Sequence, residues 1–158
     1  MWDLLLKGAT VVDPLNRIEG VRDVAIENGQ IAEVGVDLPG GCARVVEDYT
    51  GMVLQPGIVD SHVHLGEMWG SPFGFKMLAM AGVTTCLDMA GPLDNVLKNI
   101  PTYGAGINCA ILQVASSPFT STTNELSKAE MVALTDASMK DGELGVKYLD
   151  GSYALTSA

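Results

Sequence analysis

The two histidines of the chain lie two positions apart, at the end of the apolar run over residues 54–64. Side chains alternate between the two faces of a β-strand, so His62 and His64 point to one face and Val63 to the other. Two imidazoles that converge from one strand can supply two nitrogen ligands to a divalent metal ion. The spacing alone also fits two strand-end histidines that only make hydrogen bonds. Their place in the fold must therefore distinguish a metal site from a hydrogen-bonding role.

The composition indicates a well-buried globular protein, since 47% of the 158 residues are hydrophobic and 18% are charged. A net charge of −10 argues against binding nucleic acid or an anionic membrane through a basic surface. We expect neither a transmembrane helix nor a secretory signal, because the chain lacks a long apolar stretch and a basic leader. The three widely spaced cysteines favour a reduced, cytoplasmic protein: Cys42, Cys86 and Cys109.

Residues 1–55 predict a small antiparallel sheet of short strands with one face that needs cover. The predicted strands span residues 4–12, 21–27, 30–36 and 44–48. Asn28-Gly29 is a strong signal for a hairpin, because both residues tolerate positive φ.

From Pro56 onward the pattern alternates between strands and helices, which predicts four parallel βα units. The predicted strands span residues 58–62, 83–89, 107–115 and 144–149. Ser71-Pro72 and the capping box from Ser127 to Glu130 predict helix starts, and Gly82 and Gly142 predict helix ends. Four such units form half of an eightfold barrel or an open doubly wound sheet. Functional groups collect at the carboxyl ends of such strands, where the two histidines lie, and this favours a metal site.

The segment from Leu54 to His64 closely resembles the first-strand signature of the amidohydrolase superfamily, a group of metal-dependent hydrolases built on a (β/α)8 barrel. Residues 81–85 resemble the start of its second barrel strand. The resemblance implies an α/β fold in which residues 1–55 form part of a small accessory β-sandwich. Residues 56–158 would form the first four βα units of the TIM-like barrel, and His62 and His64 would be metal ligands.

In binuclear members of this superfamily, a lysine that ends the fourth strand is carboxylated by CO2 and bridges two metals. Here Lys147 lies within the apolar run over residues 145–149. A lysine in a buried strand is costly unless its charge is removed or paired. The resemblance therefore implies that Lys147 is a catalytic carbamate bridge between two metal ions, with zinc the default and manganese, cobalt or iron the alternatives. Otherwise Lys147 extends to solvent or pairs with Asp150.

Several other residues are weaker candidates. Glu67 and Trp69 follow the histidines in a loop that should line the pocket, where they could contact substrate. Asp60 is expected on the face of the histidines, where it could orient an imidazole from outside the metal ligands. Asp88 and Cys86 share a face of the second strand and could point into the barrel. Cys86 lies too early to match the bridging cysteine of N-acyl-D-amino-acid deacylases, which favours a core position.

The resemblance implies hydrolysis of an amide-type C–N bond, in an N-acyl or cyclic amide substrate, by a metal-activated hydroxide. The loop after the histidines lacks the arginine of dihydroorotase-like members, which leaves deacylases, hydantoinase-like enzymes and deaminases. One alternative is a mononuclear deaminase in which Lys147 is structural. Another is a non-catalytic scaffold homologue.

The family's remaining ligands, two histidines on the fifth and sixth strands and an aspartate on the eighth, are not in this chain. A half-barrel exposes sheet edges and apolar faces, which a stable monomer does not tolerate. We therefore expect a fragment, the N-terminal part of a larger enzyme that is inactive without its C-terminal remainder. The expected partners are that remainder, a small-molecule substrate and further copies in a homo-oligomer, with no nucleic acid or membrane.

Overall fold

The computed structural model describes residues 1–66, 72–115 and 126–148, apart from the side chain of Ala90. The chain divides into two compact units, Met1–Pro56 and Gly57–Ala158. Each unit contains one sheet, five-stranded in the first unit and four-stranded in the second. None of the helices in the described ranges is long and apolar enough to span a membrane.

The sheet of the first unit has the order β3-β2-β1-β4, and β5 also pairs with β1. Its strands are β1 (Trp2–Asp13), β2 (Ile18–Glu27), β3 (Gln30–Gly35), β4 (Ala43–Asp48) and β5 (Val53–Leu54). The predicted hairpin between β2 and β3 is confirmed, with φ of 52° at Asn28 and 74° at Gly29. The expectation of an entirely antiparallel sheet is wrong, because β4 and β5 run parallel to β1. A crossover with one 3-10 turn, Gly40–Cys42, carries the chain from β3 past β2 to the other side of β1.

A bulge in β1 determines which of its side chains share a face. The register with β2 shifts between Leu6 and Ala9, so both residues belong to one apolar cluster although they are three positions apart. Gly8 has φ of 74°, and a Cβ there would lie 2.7 Å from Thr50 Oγ1. Glycine is therefore required at the bulge. Leu5 belongs to a second cluster, with Ala25 and Leu38.

A buried carboxylate joins three segments of this unit. Asp23 is 5% exposed and accepts hydrogen bonds from Gly8 N and Leu38 N, each at 2.9 Å. Lys7 Nζ lies 3.1 Å from Asp23 Oδ2 and donates to Leu38 O. Burial alone would raise the pKa of Asp23, but the hydrogen bonds and the Lys7 charge together hold it below its ordinary value.

We expect Asp23→Asn to lower the free energy of unfolding by about 2 kcal/mol at pH 7, because Gly8 N and Leu38 N lose a charged acceptor and the partly exposed Lys7 loses its counter-charge. Since the folded-state pKa of Asp23 is lowered, its contribution is present above the ordinary carboxyl pKa and is lost as the pH falls through the folded-state value. The two proteins should therefore converge in stability in acid. Urea unfolding followed by Trp2 fluorescence in a Trp69→Phe background, at pH 7 and pH 3, measures this.

Arg44→Ala is the control for Asp23→Asn, because it breaks an ion pair at the surface. In this pair the Arg44 guanidinium lies 3.0 Å from Asp3 Oδ1. Exposed pairs contribute little, so we expect a much smaller loss of stability. Equal losses in the two variants would contradict the structural role of Asp23.

The second unit alternates strands with helices, and its four strands are parallel in the order β6-β7-β8-β9. They form a curled half-barrel sheet. The elements are β6 (Ile58–Val63), α1 (Gly74–Met80), β7 (Val83–Gly91), α2 (Leu93–Leu97), α3 (Ile100–Tyr103), β8 (Asn108–Ala115), α4 (Lys128–Asp141) and β9 (Gly145–Tyr148). The capping box is confirmed: Ser127 Oγ accepts from Glu130 N, and the Glu130 carboxylate accepts from Ser127 N.

One local prediction fails in this unit, and one helix was missed. Helix α1 begins at Gly74 with Phe73 as its N-cap residue, later than the proline at position 72 suggested. The short helix α3 was not predicted. The predicted end of α1 is confirmed, because Gly82 follows it with φ of 84°.

The helices of this unit cover one face of the sheet, around a core of Val63, Leu65, Phe75, Val83, Cys86, Val96 and Ile111. The prediction that the first strand of this unit is buried is wrong for its beginning, since Ile58 is 46% and Val59 69% exposed. Within residues 1–66, 72–115 and 126–148, β6 has β7 as its single partner strand, so the beginning of β6 has little cover.

Candidate metal centre

The two histidines lie side by side at the carboxyl end of β6. Their ring centroids are 5.3 Å apart, with 72° between the ring planes, and both side chains are exposed. Two imidazoles that bind one tetrahedral zinc at about 2.0–2.1 Å place their centroids roughly 5 Å apart. The arrangement of His62 and His64 therefore fits a shared divalent metal ion.

The strand register puts Lys147 on the same face of the sheet as this pair. Val63, Asp88 and Ile111 are aligned Cα partners across β6, β7 and β8, so they share the helix-covered face. Lys147 is aligned with Val114 of β8. Val114 lies three residues after Ile111 in a regular part of the strand, and side chains alternate between faces, so Val114 and Lys147 lie on the opposite face. That is the face of His62 and His64, which flank Val63. Lys147 is half-buried.

The expectation that Asp60 shares the histidines' face is wrong. The register of β6 against β7 shifts by one residue between Asp60 and Val63, which interrupts the alternation of faces. Asp60 is aligned with Cys86 on the helix-covered side. Its Oδ1 accepts a hydrogen bond from His62 N at 3.1 Å, so the contact is with the backbone and not with the imidazole.

Cys86 and Asp88 do not point into the barrel, because β7 directs both toward the helix layer. Cys86 is 2% exposed within the core cluster, as its early position in the strand suggested. Burial, with the neighbouring Cys109 thiol and nearby acidic charges, raises the pKa of the Cys86 thiol to about 12. A thiol with so high a pKa is a poor source of the thiolate that binds metals.

The described part of the chain brings together only part of a metal centre. Within residues 1–66, 72–115 and 126–148, no three His, Cys, Asp or Glu side chains are grouped closely enough to hold a metal ion. The substrate-contact candidates, Glu67 and Trp69, lie outside the described residues.

One contact of the site escaped sequence reasoning. Leu65 N donates a hydrogen bond of 2.6 Å to Asp88 Oδ2, one residue after His64. The available signal was an aspartate late in an otherwise apolar strand, since a buried carboxylate needs donors. The sequence could not show that this donor is the backbone of Leu65.

A parallel half-barrel with paired histidines at the end of its first strand fits the first half of the metal-dependent hydrolase barrel that the sequence resemblance implies. No model of a known protein family matches the chain. An Escherichia coli allantoinase is 40% identical over 100 residues, which are 60% of this chain and 21% of the allantoinase.

Solved structures of other proteins share the fold. A D-aminoacylase mutant in complex with copper chloride matches with a TM-score of 0.70 and 25% identity, over 92% of this chain and 38% of the aminoacylase. The L-hydantoinase of Arthrobacter aurescens matches with a TM-score of 0.63, over 99% of this chain and 36% of the hydantoinase. At 18% identity the second match shows the fold alone.

The chain is therefore similar to amidohydrolases over part of their length. The predicted resemblance to the amidohydrolase superfamily and the predicted fold class are thereby confirmed. The chain spans about a fifth of the length of the curated relatives that it matches.

Proposed function

We propose that the chain is part of a metal-dependent hydrolase that cleaves an amide-type C–N bond in a cyclic or N-acyl amide. The observation that carries the proposal is the pair of imidazole rings, 5.3 Å apart at the carboxyl end of β6. Barrel enzymes assemble their active sites at this end of the strands. The likeness to a D-aminoacylase whose structure is described as having a binuclear metal centre supports it further.

In this proposal His62 and His64 hold one divalent metal through neutral ring nitrogens, with zinc favoured. A bound metal would polarise the scissile carbonyl and lower the pKa of water toward about 7. Lys147, on the same face of the sheet, would react with CO2 to form a carbamate that holds a second metal. The remaining ligands would come from residues outside the described ranges, in keeping with the greater length of the matched relatives.

A cyclic amide is the favoured substrate class, because the allantoinase has the greater sequence identity among the relatives described above. We also propose a cytoplasmic location and a homo-oligomeric state. The free cysteines at positions 42, 86 and 109 support a reducing compartment.

The test uses the full-length protein, purified and analysed for bound metal. We expect the protein to hydrolyse allantoin or hydantoin, measured by the appearance of the ring-opened product. Chelation of the metal should stop this activity, and addition of zinc, manganese or cobalt should restore it. N-acetyl-D-amino acids test the alternative acyclic class. A protein that binds no metal and hydrolyses neither class would contradict the proposal.

A further inference from the structure

We propose that Asp88 is a positioning residue for the histidine pair and acts through the backbone of Leu65. The inference rests on the proposed function, since it takes His62 and His64 to hold a metal ion. Asp88 lies on β7, on the face of the sheet opposite the histidines, and is not itself a metal ligand. The inference gives it a part in determining the geometry of the site.

The central observation is the hydrogen bond from Leu65 N to Asp88 Oδ2, at 2.6 Å. Leu65 is 3% exposed and Asp88 1% exposed, so water does not compete for either group. A hydrogen bond from a backbone N–H to a buried carboxylate is stronger than one between neutral groups. It ties the chain immediately after His64 to the end of the neighbouring strand.

Packing also holds Leu65 and the residue after it, Gly66. The Leu65 side chain belongs to the core cluster, and a Cβ on Gly74 of α1 would lie 2.9 Å from Leu65 Cδ2. A Cβ on Gly66 would collide with the side-chain oxygen of Asn95 in α2. The Leu65–Gly66 step is therefore fixed against β7, α1 and α2 together.

This fixation matters because β6 is irregular where the histidines lie: its register against β7 shifts between Asp60 and Val63. The backbone on either side of the histidines determines where their rings project, and Asp88 holds it on the carboxyl side. Metal sites need their ligands held to within about 0.5 Å, so loss of this hydrogen bond should weaken metal binding.

The test compares Asp88→Ala with Asp88→Asn in the full-length protein, by zinc affinity in competition with a chelator and by the visible spectrum of the cobalt-substituted protein. We expect Asp88→Ala to weaken zinc binding by about 10- to 100-fold and to change the cobalt spectrum. Asp88→Asn keeps an oxygen acceptor for Leu65 N, so it should bind zinc within a few-fold of wild type. Wild-type zinc affinity in folded Asp88→Ala would overturn the inference.

Ser138→Ala is the matched control, because Ser138 is a buried polar residue, 3% exposed, on α4 away from the histidines. It should lose stability without losing zinc affinity, and an equal loss of affinity in this variant would overturn the inference. If Asp88→Ala does not fold, Gly66→Ala displaces the same step while leaving Asp88 in place. It should weaken zinc binding at least about 10-fold, and unchanged affinity would overturn the inference.

The two proposals fail differently in this experiment. A wild-type protein that binds no zinc contradicts the proposed function and, with it, the role of Asp88. A wild-type protein that binds zinc, together with an Asp88→Ala variant that binds it equally well, leaves the proposed function standing and removes only the positioning role.

Discussion

Replacement of either histidine by alanine is expected to remove the metal at the β6 end and to lower hydrolytic activity by about 10³-fold or more. The physical reason is that His62 and His64 project from one short strand end, and in the proposed site each would supply one ligand. Loss of one imidazole removes a protein ligand from a site that needs at least three. Metal content by mass spectrometry and the initial rate of hydrolysis, both in the full-length protein, measure the effect.

Val132→Ala provides the comparison, since Val132 lies on α4 and is 51% exposed. It should retain wild-type metal content and rate. Histidine variants that keep both would show that the rings serve only as hydrogen-bonding groups, the simpler interpretation of their spacing. Unfolding curves of all three variants separate loss of metal from loss of fold.

The second large effect is expected at Lys147. Lys147→Ala should reduce the bound metal from two ions to one per site and lower activity by about 10²-fold or more, because a metal that stabilises charge in the transition state is worth several kcal/mol. Lys147→Arg should fail in the same way, since a guanidinium keeps its positive charge and cannot form the carbamate. Metal analysis after reconstitution with and without CO2 measures the bridging role directly.

Lys140→Ala is the matched control for Lys147, because it removes the same charge from an exposed position in the last turn of α4. Its metal content and activity should equal those of wild type. Two metals and full activity in Lys147→Ala would contradict the carbamate. One metal in the wild-type protein would favour the mononuclear deaminase alternative.

Much of the local structure follows from short-range signals in the chain. Asn28-Gly29 predicts its hairpin because both residues occupy positive φ, and Ser127 with Glu130 predicts the start of α4 through reciprocal hydrogen bonds. The alternation of apolar strands with helices predicts the parallel sheet. These signals depend on neighbouring residues, so they can be read without knowledge of the rest of the fold.

The failures have a different origin. The direction of β4 depends on a crossover past β2, and the exposure of Ile58 depends on β6 having one partner strand. Neither property belongs to a single segment. Likewise, strict alternation predicts one face for Asp60 and His62, whereas the register shift in β6 separates them.

For the site, the sequence by itself determined the candidate ligand types and their spacing: two imidazoles two positions apart on a strand, and a lysine on the fourth strand of the half-barrel. Only the tertiary structure decided that Lys147 shares their face, that Cys86 and Asp88 point away, and that Asp88 binds Leu65 N. Faces and partners depend on the register between strands distant in the chain. A shift of one residue reverses them, and no local pattern encodes that shift.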